Sequence, residues 1–211
     1  MTSSPLNTRT AILAGSGLCA AAFVLSDLVN REMSPVAETV SRFVNTGHGW
    51  LVTVGLVGLA LAGAASAVRV ADRPGRVLLW IWAAGIAVSA VFPADPPGNW
   101  AAPSVSETVH GLAAWAALGS FTAAAVVLAR RWRGLPGTPR ALAPVTTVLT
   151  VSMALFVVTL VDAMAFRELP ALLGVTERAV IAADLVWMCV AAFRVPAAPA
   201  APVPDRVPER A

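Results

Sequence analysis

Charge is what this chain lacks most: 13% of its 211 residues are Asp, Glu, Lys or Arg. Soluble domains carry roughly 25%, so an ordinary water-soluble globule is excluded. Lysine is missing altogether, and all 15 basic residues are arginines scattered at the ends of apolar segments. A nucleic-acid-binding protein would group them in a patch or stripe, so the high sequence pI of about 10.0 does not imply a nucleic-acid partner. Cysteine is nearly absent too. Cys19 and Cys189 fall inside apolar blocks near opposite ends of the chain, which points to inert buried thiols rather than a disulfide framework.

What is present is hydrocarbon: 57% of residues are hydrophobic and the mean hydropathy is +0.74. They come in blocks near the roughly 20 residues that a helix needs to cross a bilayer. Six spans are expected, at about 10–29, 50–70, 77–91, 106–130, 144–166 and 177–195. The fold class is therefore all-α, a polytopic bundle of six transmembrane helices. A polar tail at 1–9 precedes it, and a Pro/Ala-rich tail at 196–211 has the composition of a disordered segment. The first block has no clear small-residue cleavage site and reads as a retained helix. Between the first two spans, Val36, Val40, Phe43 and Val44 lie at helical spacing behind Ser34-Pro35, predicting a short interfacial helix. Gly58, Ala62 and Ser66 recur every four residues, a small-residue face that lets another helix approach closely in lipid.

Arginine sets the orientation. With both termini cytoplasmic, the inner side holds all the arginines except Arg31, Arg42, Arg167 and Arg178, as the positive-inside rule requires. The expected location is the inner (plasma) membrane, with N-in/C-in topology. The acids run the other way. Asp72, Asp205 and Glu209 are inside, and the other acids and both histidines lie toward the outer side. Topogenesis does not demand this, because acids contribute little to orientation.

The outer loop FPADPPGNWAAPSVSETVHGLAAW brings Asp95, Glu107 and His110 to the mouth of the fourth span. His110 follows Glu107 by three residues, on the same helix face and about 4–5 Å deeper. Asp184 follows Glu177 by seven, about 10 Å deeper, and Asp162 lies about a turn inside the end of the fifth span. Ionisable groups at such depth face a bundle interior or cavity and are functional candidates by default. Asp27 lies at the mouth. The candidate catalytic set is His110, Asp95, Asp162 and Asp184.

Several chemistries fit these residue types. His110 would act as acid–base with a buried aspartate orienting it. A zinc site would draw on His48, His110 and Asp95 or Asp184, although no H-E-x-x-H spacing is present. A serine hydrolase would need Ser34, Ser41, Ser104 or Ser106, without a nucleophile-elbow motif. A small proton-coupled transporter would use the same acids. Structural roles compete at each position: Glu107 complements a helix N-terminus, and Asp162 and Asp184 pair with Arg167 or Arg178, or accept from Thr159 or Trp187. No cofactor is specified, and neither is an oligomeric state.

Three blocks in order, MSPVAETVSRFVNTGHGW, FPADPPG…VSETVHGLAAW and GVTERAVIAADLVW, resemble the bacterial membrane proteins grouped as domain of unknown function 998. The resemblance runs from about residue 13 to 195 and implies a six-helix integral membrane protein, without a reaction. By motif it carries over Ser41, Asp95, His110, Glu177, Arg178 and Trp187. Ser41, Glu107, Glu177, Arg178 and Trp187 form the candidate substrate-binding set, for a lipid or isoprenoid-like apolar ligand. The alternative is a non-catalytic membrane partner whose acids set helix packing.

Overall fold

The computed structural model describes residues 5–98 and 102–194. The first four residues, residues 99–101 and residues 195–211, with the expected Pro/Ala-rich tail, lie outside them. Among the described residues every regular element is helical: α1 (Pro5–Val29), α2 (Trp50–Arg69), α3 (Arg73–Val91), α4 (Val105–Trp132), α5 (Leu142–Val161) and α6 (Leu173–Ala192). A 3-10 turn at Val40–Asn45 and a π turn at Asp162–Phe166 complete the order.

The helix starts follow local chemistry. Asp72 caps α3 by accepting from the Gly75 amide at 2.9 Å, with Pro74 in the first turn. That brings the helix in four residues before the expected span. Ser104 caps α4 and accepts from the Glu107 amide at 3.0 Å. The expected interfacial helix at 36–44 is replaced by a turn at Ser34–Glu38 and the 3-10 turn. Val40 and Phe43 are buried while Val36 stays exposed, so the apolar spacing there serves burial under the bundle rather than one continuous helix.

Among the described residues five helices are long and apolar enough to cross a membrane: Asn7–Val29, Trp50–Arg69, Arg73–Val91, Val105–Trp132 and Leu142–Phe166. α6 stands apart because Glu177, Arg178 and Asp184 put three charges in 20 residues. Large apolar side chains such as Leu28, Leu61, Val91, Leu112 and Val158 remain exposed around the bundle. In water such a surface would be a liability; against lipid chains it is the required one. The chain is a multi-pass membrane protein.

Neighbouring helices pack in antiparallel order, and α6 returns to α1. α1 and α2 meet through glycine. A Cβ on Gly15 would come within 2.5 Å of the Gly58 carbonyl, and one on Gly58 within 2.9 Å of the Gly15 carbonyl. The small-residue face on α2 therefore receives α1 backbone to backbone. Toward the Arg-rich end, Trp82 packs on Phe121 (centroids 4.5 Å apart), and Phe121 and Trp132 pack on Trp187 at 5.6 and 6.3 Å. α4 lies closely on α3 but only loosely on α5. That loose seam opens at the end of the bundle where the 30–49 and 92–104 loops lie.

Candidate functional site

At that end two loops are stitched together by groups that hydrocarbon could not solvate. Arg42, 3% exposed, donates to the carbonyls of Pro96 (2.8 Å) and Asp95 (3.3 Å) and sits 3.8 Å from the Glu107 carboxylate. Asn45 donates to the Ala94 carbonyl at 3.0 Å. Glu107 accepts from the Asp95 amide at 2.7 Å. Each bond fixes an irregular backbone segment over the helix ends, where buried peptide groups must find partners.

His110 lies beneath this lid. Its Nδ1 is 2.8 Å from the Phe92 carbonyl and 3.1 Å from that of Ser89. Both neighbours are pure acceptors, so Nδ1 carries the hydrogen and, in the neutral ring, Nε2 keeps its lone pair. The α3 C-terminus thus sets the tautomer. No described residue hydrogen-bonds Nε2.

α6 brings the third component. A Cβ on Gly174 would meet the Glu38 carbonyl at 2.3 Å, so glycine there lets the helix abut the 34–40 backbone. Glu177 accepts a short hydrogen bond from the Val40 amide. Arg178 forms a two-point pair with Asp27 (2.6 and 2.9 Å), donates to the Glu38 carbonyl at 2.8 Å and lies over the Phe43 ring. Arg178 is thus a clamp between α1, α6 and the loop. Pairing of Arg178 with Asp162 or Asp184 is not what the fold uses.

Between these parts lies a cleft of about 340 Å³. Its polar end is formed by Thr39, Ser41, Arg42, Glu107, His110 and Glu177, and its apolar walls by Leu112, Trp115 and Leu118 of α4 and Phe156 and Leu160 of α5, with Met164. Leu112, Trp115 and Met164 are exposed on the bundle surface, so the apolar side opens sideways toward lipid. Two smaller cavities, about 40 and 10 Å³, adjoin it through Ser41 and His110. Ser41 shares a 3.2 Å hydrogen bond with Thr39.

Of the residues expected from sequence, Ser41, Glu107, His110 and Glu177 come together in the cleft. The others serve elsewhere. Asp95 accepts from the Ser104 amide and hydroxyl at 2.8 and 2.7 Å, tying the loop to the α4 cap. Asp162 accepts from the Glu168 and Leu169 amides at 3.1 Å, closing the turn after α5. Trp187 lies toward the Arg-rich end of α6 and donates to Thr146 at 2.9 Å rather than to a carboxylate. Thr159 bonds Thr176 at 2.7 Å. His48 is exposed on its loop, its amide on the Asn30 side chain at 3.2 Å. No three His, Cys, Asp or Glu side chains among the described residues form a metal-binding group, so His48, His110 and Asp95 do not converge. Asp184 is 1% exposed and neither oxygen has a hydrogen-bond partner among the described residues. Cys19 and Cys189 are both free thiols.

The stretch that builds this site is the stretch by which the chain is classified. The family described as "Protein of unknown function (DUF998)" matches residues 13–194. The chain belongs to this family. The DUF998 match includes the whole cleft, from Thr39 to Glu177. Neither a curated protein nor a solved structure matches the chain.

Arg42, Thr39 and the apolar walls were not singled out from the sequence. Arg42 entered there only as one of the four arginines expected on the outer side, because its partners at Pro96 and Glu107 are more than 50 residues away. Leu112, Phe156 and Leu160 read as any lipid-facing residues. Gly174, four residues before Arg178 in the quoted G-x-x-E-R motif, carried the available signal.

Proposed function

We propose that this DUF998 protein spans the membrane six times, with α6 as the sixth span and both termini on the arginine-rich side. Its outer cleft binds a lipid or isoprenoid-like amphiphile. The apolar part of the ligand lies between α4 and α5, against Trp115, Phe156 and Leu160, and the polar part meets Arg42, Glu107, His110 and Glu177. The observation that carries this reading is a cleft whose apolar side opens toward lipid while its closed end gathers buried polar groups.

His110 is the group suited to chemistry. With Nδ1–H held by two carbonyls, Nε2 is an acceptor for a hydroxyl or water at the ligand's polar end. Hydrolysis or acid–base rearrangement of the ligand would use it in that role, with Glu177 on the facing helix.

The test is the lipid content of detergent-purified protein, wild type beside His110→Ala and Glu177→Gln, with exposed His48→Ala as control. A specific co-purifying lipid, depleted in the first two variants and retained in the third, is the expected result. Equal lipid content in all four proteins would sink the reading.

A second reading rests on Asp184. A carboxyl group enclosed in the helix bundle without a partner costs stability, and such residues in membranes mark proton paths. In a proton-coupled transporter, Asp184→Asn would abolish coupled uptake into proteoliposomes while leaving the fold intact. Unchanged uptake would remove that reading.

A further inference from the structure

Given that the cleft around His110 is an amphiphile site, as proposed above, we infer that it selects by head group. It takes amphiphiles whose head donates hydrogen bonds and bears no anionic group, a hydroxyl or an ammonium, and it turns away phosphate and carboxylate heads.

Two acceptors border the same space. His110 and Glu177 both line the cleft and the adjoining cavity of about 40 Å³. The Ser89 and Phe92 carbonyls, 3.1 and 2.8 Å away, keep the hydrogen on Nδ1, so the neutral ring presents Nε2 as a lone-pair acceptor. His110 is 7% exposed, and no described residue donates to Nε2. Glu177 commits one carboxylate oxygen to the Val40 amide, and no described residue donates to the other. An ionised carboxylate only accepts. A buried pair of acceptors is therefore satisfied by donors from whatever fills the cleft.

The cations at this end are already engaged. Arg42, 3% exposed, donates to the Pro96 and Asp95 carbonyls and sits 3.8 Å from the Glu107 carboxylate. Arg178 holds Asp27 and the Glu38 and Gly174 carbonyls, and it lies outside the cleft lining. An anionic head would thus meet the carboxylates of Glu107 and Glu177, with Arg42 tied to the loops. Like charges brought together in a site poor in water repel strongly. A hydroxyl or ammonium head reverses the match, because its O–H or N–H groups suit Nε2 and the second Glu177 oxygen. The hydrocarbon part of either lies along Trp115, Phe156 and Leu160.

The test offers the full chain, purified in detergent, an equimolar mixture of four probes with the same hydrocarbon chain: oleyl alcohol, oleylamine, oleate and oleyl phosphate. Native mass spectrometry counts the bound species. The expected result is one alcohol or amine per chain, with each anionic probe retained about tenfold less or lower still. Which of the two binds tells a hydroxyl head from an ammonium. Glu177→Gln keeps an acceptor and removes the charge, and it is expected to narrow the discrimination against the anionic probes to less than about threefold. The wild-type competition stands without that variant, should Glu177→Gln fail to fold. Preference for oleate or oleyl phosphate would overturn the inference and leave an amphiphile site in place. Unchanged discrimination in folded Glu177→Gln would overturn it as well. Retention of none of the four, or of all four alike, would remove the amphiphile site itself.

Discussion

Among single residues, the buried polar groups divide into those that are fully bonded and those that are not. Arg178 and Asp27 are the first kind. Their two-point pair joins α1 to α6 from partly buried positions, and removing one partner leaves the other charge without compensation. Asp27→Asn is expected to destabilise the protein by roughly 1–3 kcal/mol, measured as a lower unfolding midpoint in detergent. No change would mean the pair is solvated in practice. Asp184 is the second kind. Asp184→Leu removes a buried group that has no hydrogen-bond partner among the described residues and is expected to raise the midpoint, by an amount on the order of 1–3 kcal/mol; a lower midpoint would show that the carboxyl holds the bundle together. Depth along α6 made Asp184 legible as buried, because helix geometry alone fixes its offset from Glu177. Which arginine meets which acid was not legible. The partner of Asp27 lies 151 residues away, and only the return of α6 to α1 brings them together.

For the elements, close approach decides the architecture. α1 and α2 touch through Gly15 and Gly58, and a side chain at either point must push the helices apart. Gly58→Val is expected to cost roughly 1–3 kcal/mol, whereas Gly119→Ala, with nothing within 4 Å of its Cβ position, is expected to be neutral or slightly stabilising in its helix. Equal effects would show that α1–α2 packing is looser than described. Gly174 plays the same part at the site: Gly174→Ala drives a methyl group into the Glu38 carbonyl, lifts α6 from the loop, and is expected to weaken ligand retention together with stability. The helices themselves were legible as apolar blocks of membrane-spanning length. Their starts were less so, since Asp72 and Ser104 cap helices that begin before or at the margin of the apolar runs. The irregular 30–49 segment was legible only as apolar spacing, because its shape is set by hydrogen bonds to α6 and to the 92–104 loop.

For the whole molecule, the two ends differ in kind. The end bearing the 30–49 and 92–104 loops carries Glu107, His110 and Glu177, and the other carries Arg69, Arg131 and Arg194. On the proposed topology the arginine end faces the anionic cytoplasmic leaflet. Single cysteines placed at Gly47 and at Gly137, in a background lacking Cys19 and Cys189, are expected to react with an impermeant thiol reagent from outside at 47 only. Labelling at 137 alone would reverse the topology. The polar half of the cleft around His110 was legible, because acids and histidine one turn apart at the mouth of an apolar helix stand out against hydrocarbon. Its apolar half was not, because the loose seam between α4 and α5 is a property of packing that no single segment carries.

On the proposed function, the cleft around His110 receives an amphiphile from the bilayer. The most direct test is mass spectrometry of lipids retained by purified wild-type protein and by Leu112→Ala/Phe156→Ala and His110→Ala variants, after each is shown to be folded. A defined lipid species near one per chain, lost in both variants, is the predicted result. Retention of the same bulk lipid mixture by all three proteins would contradict it.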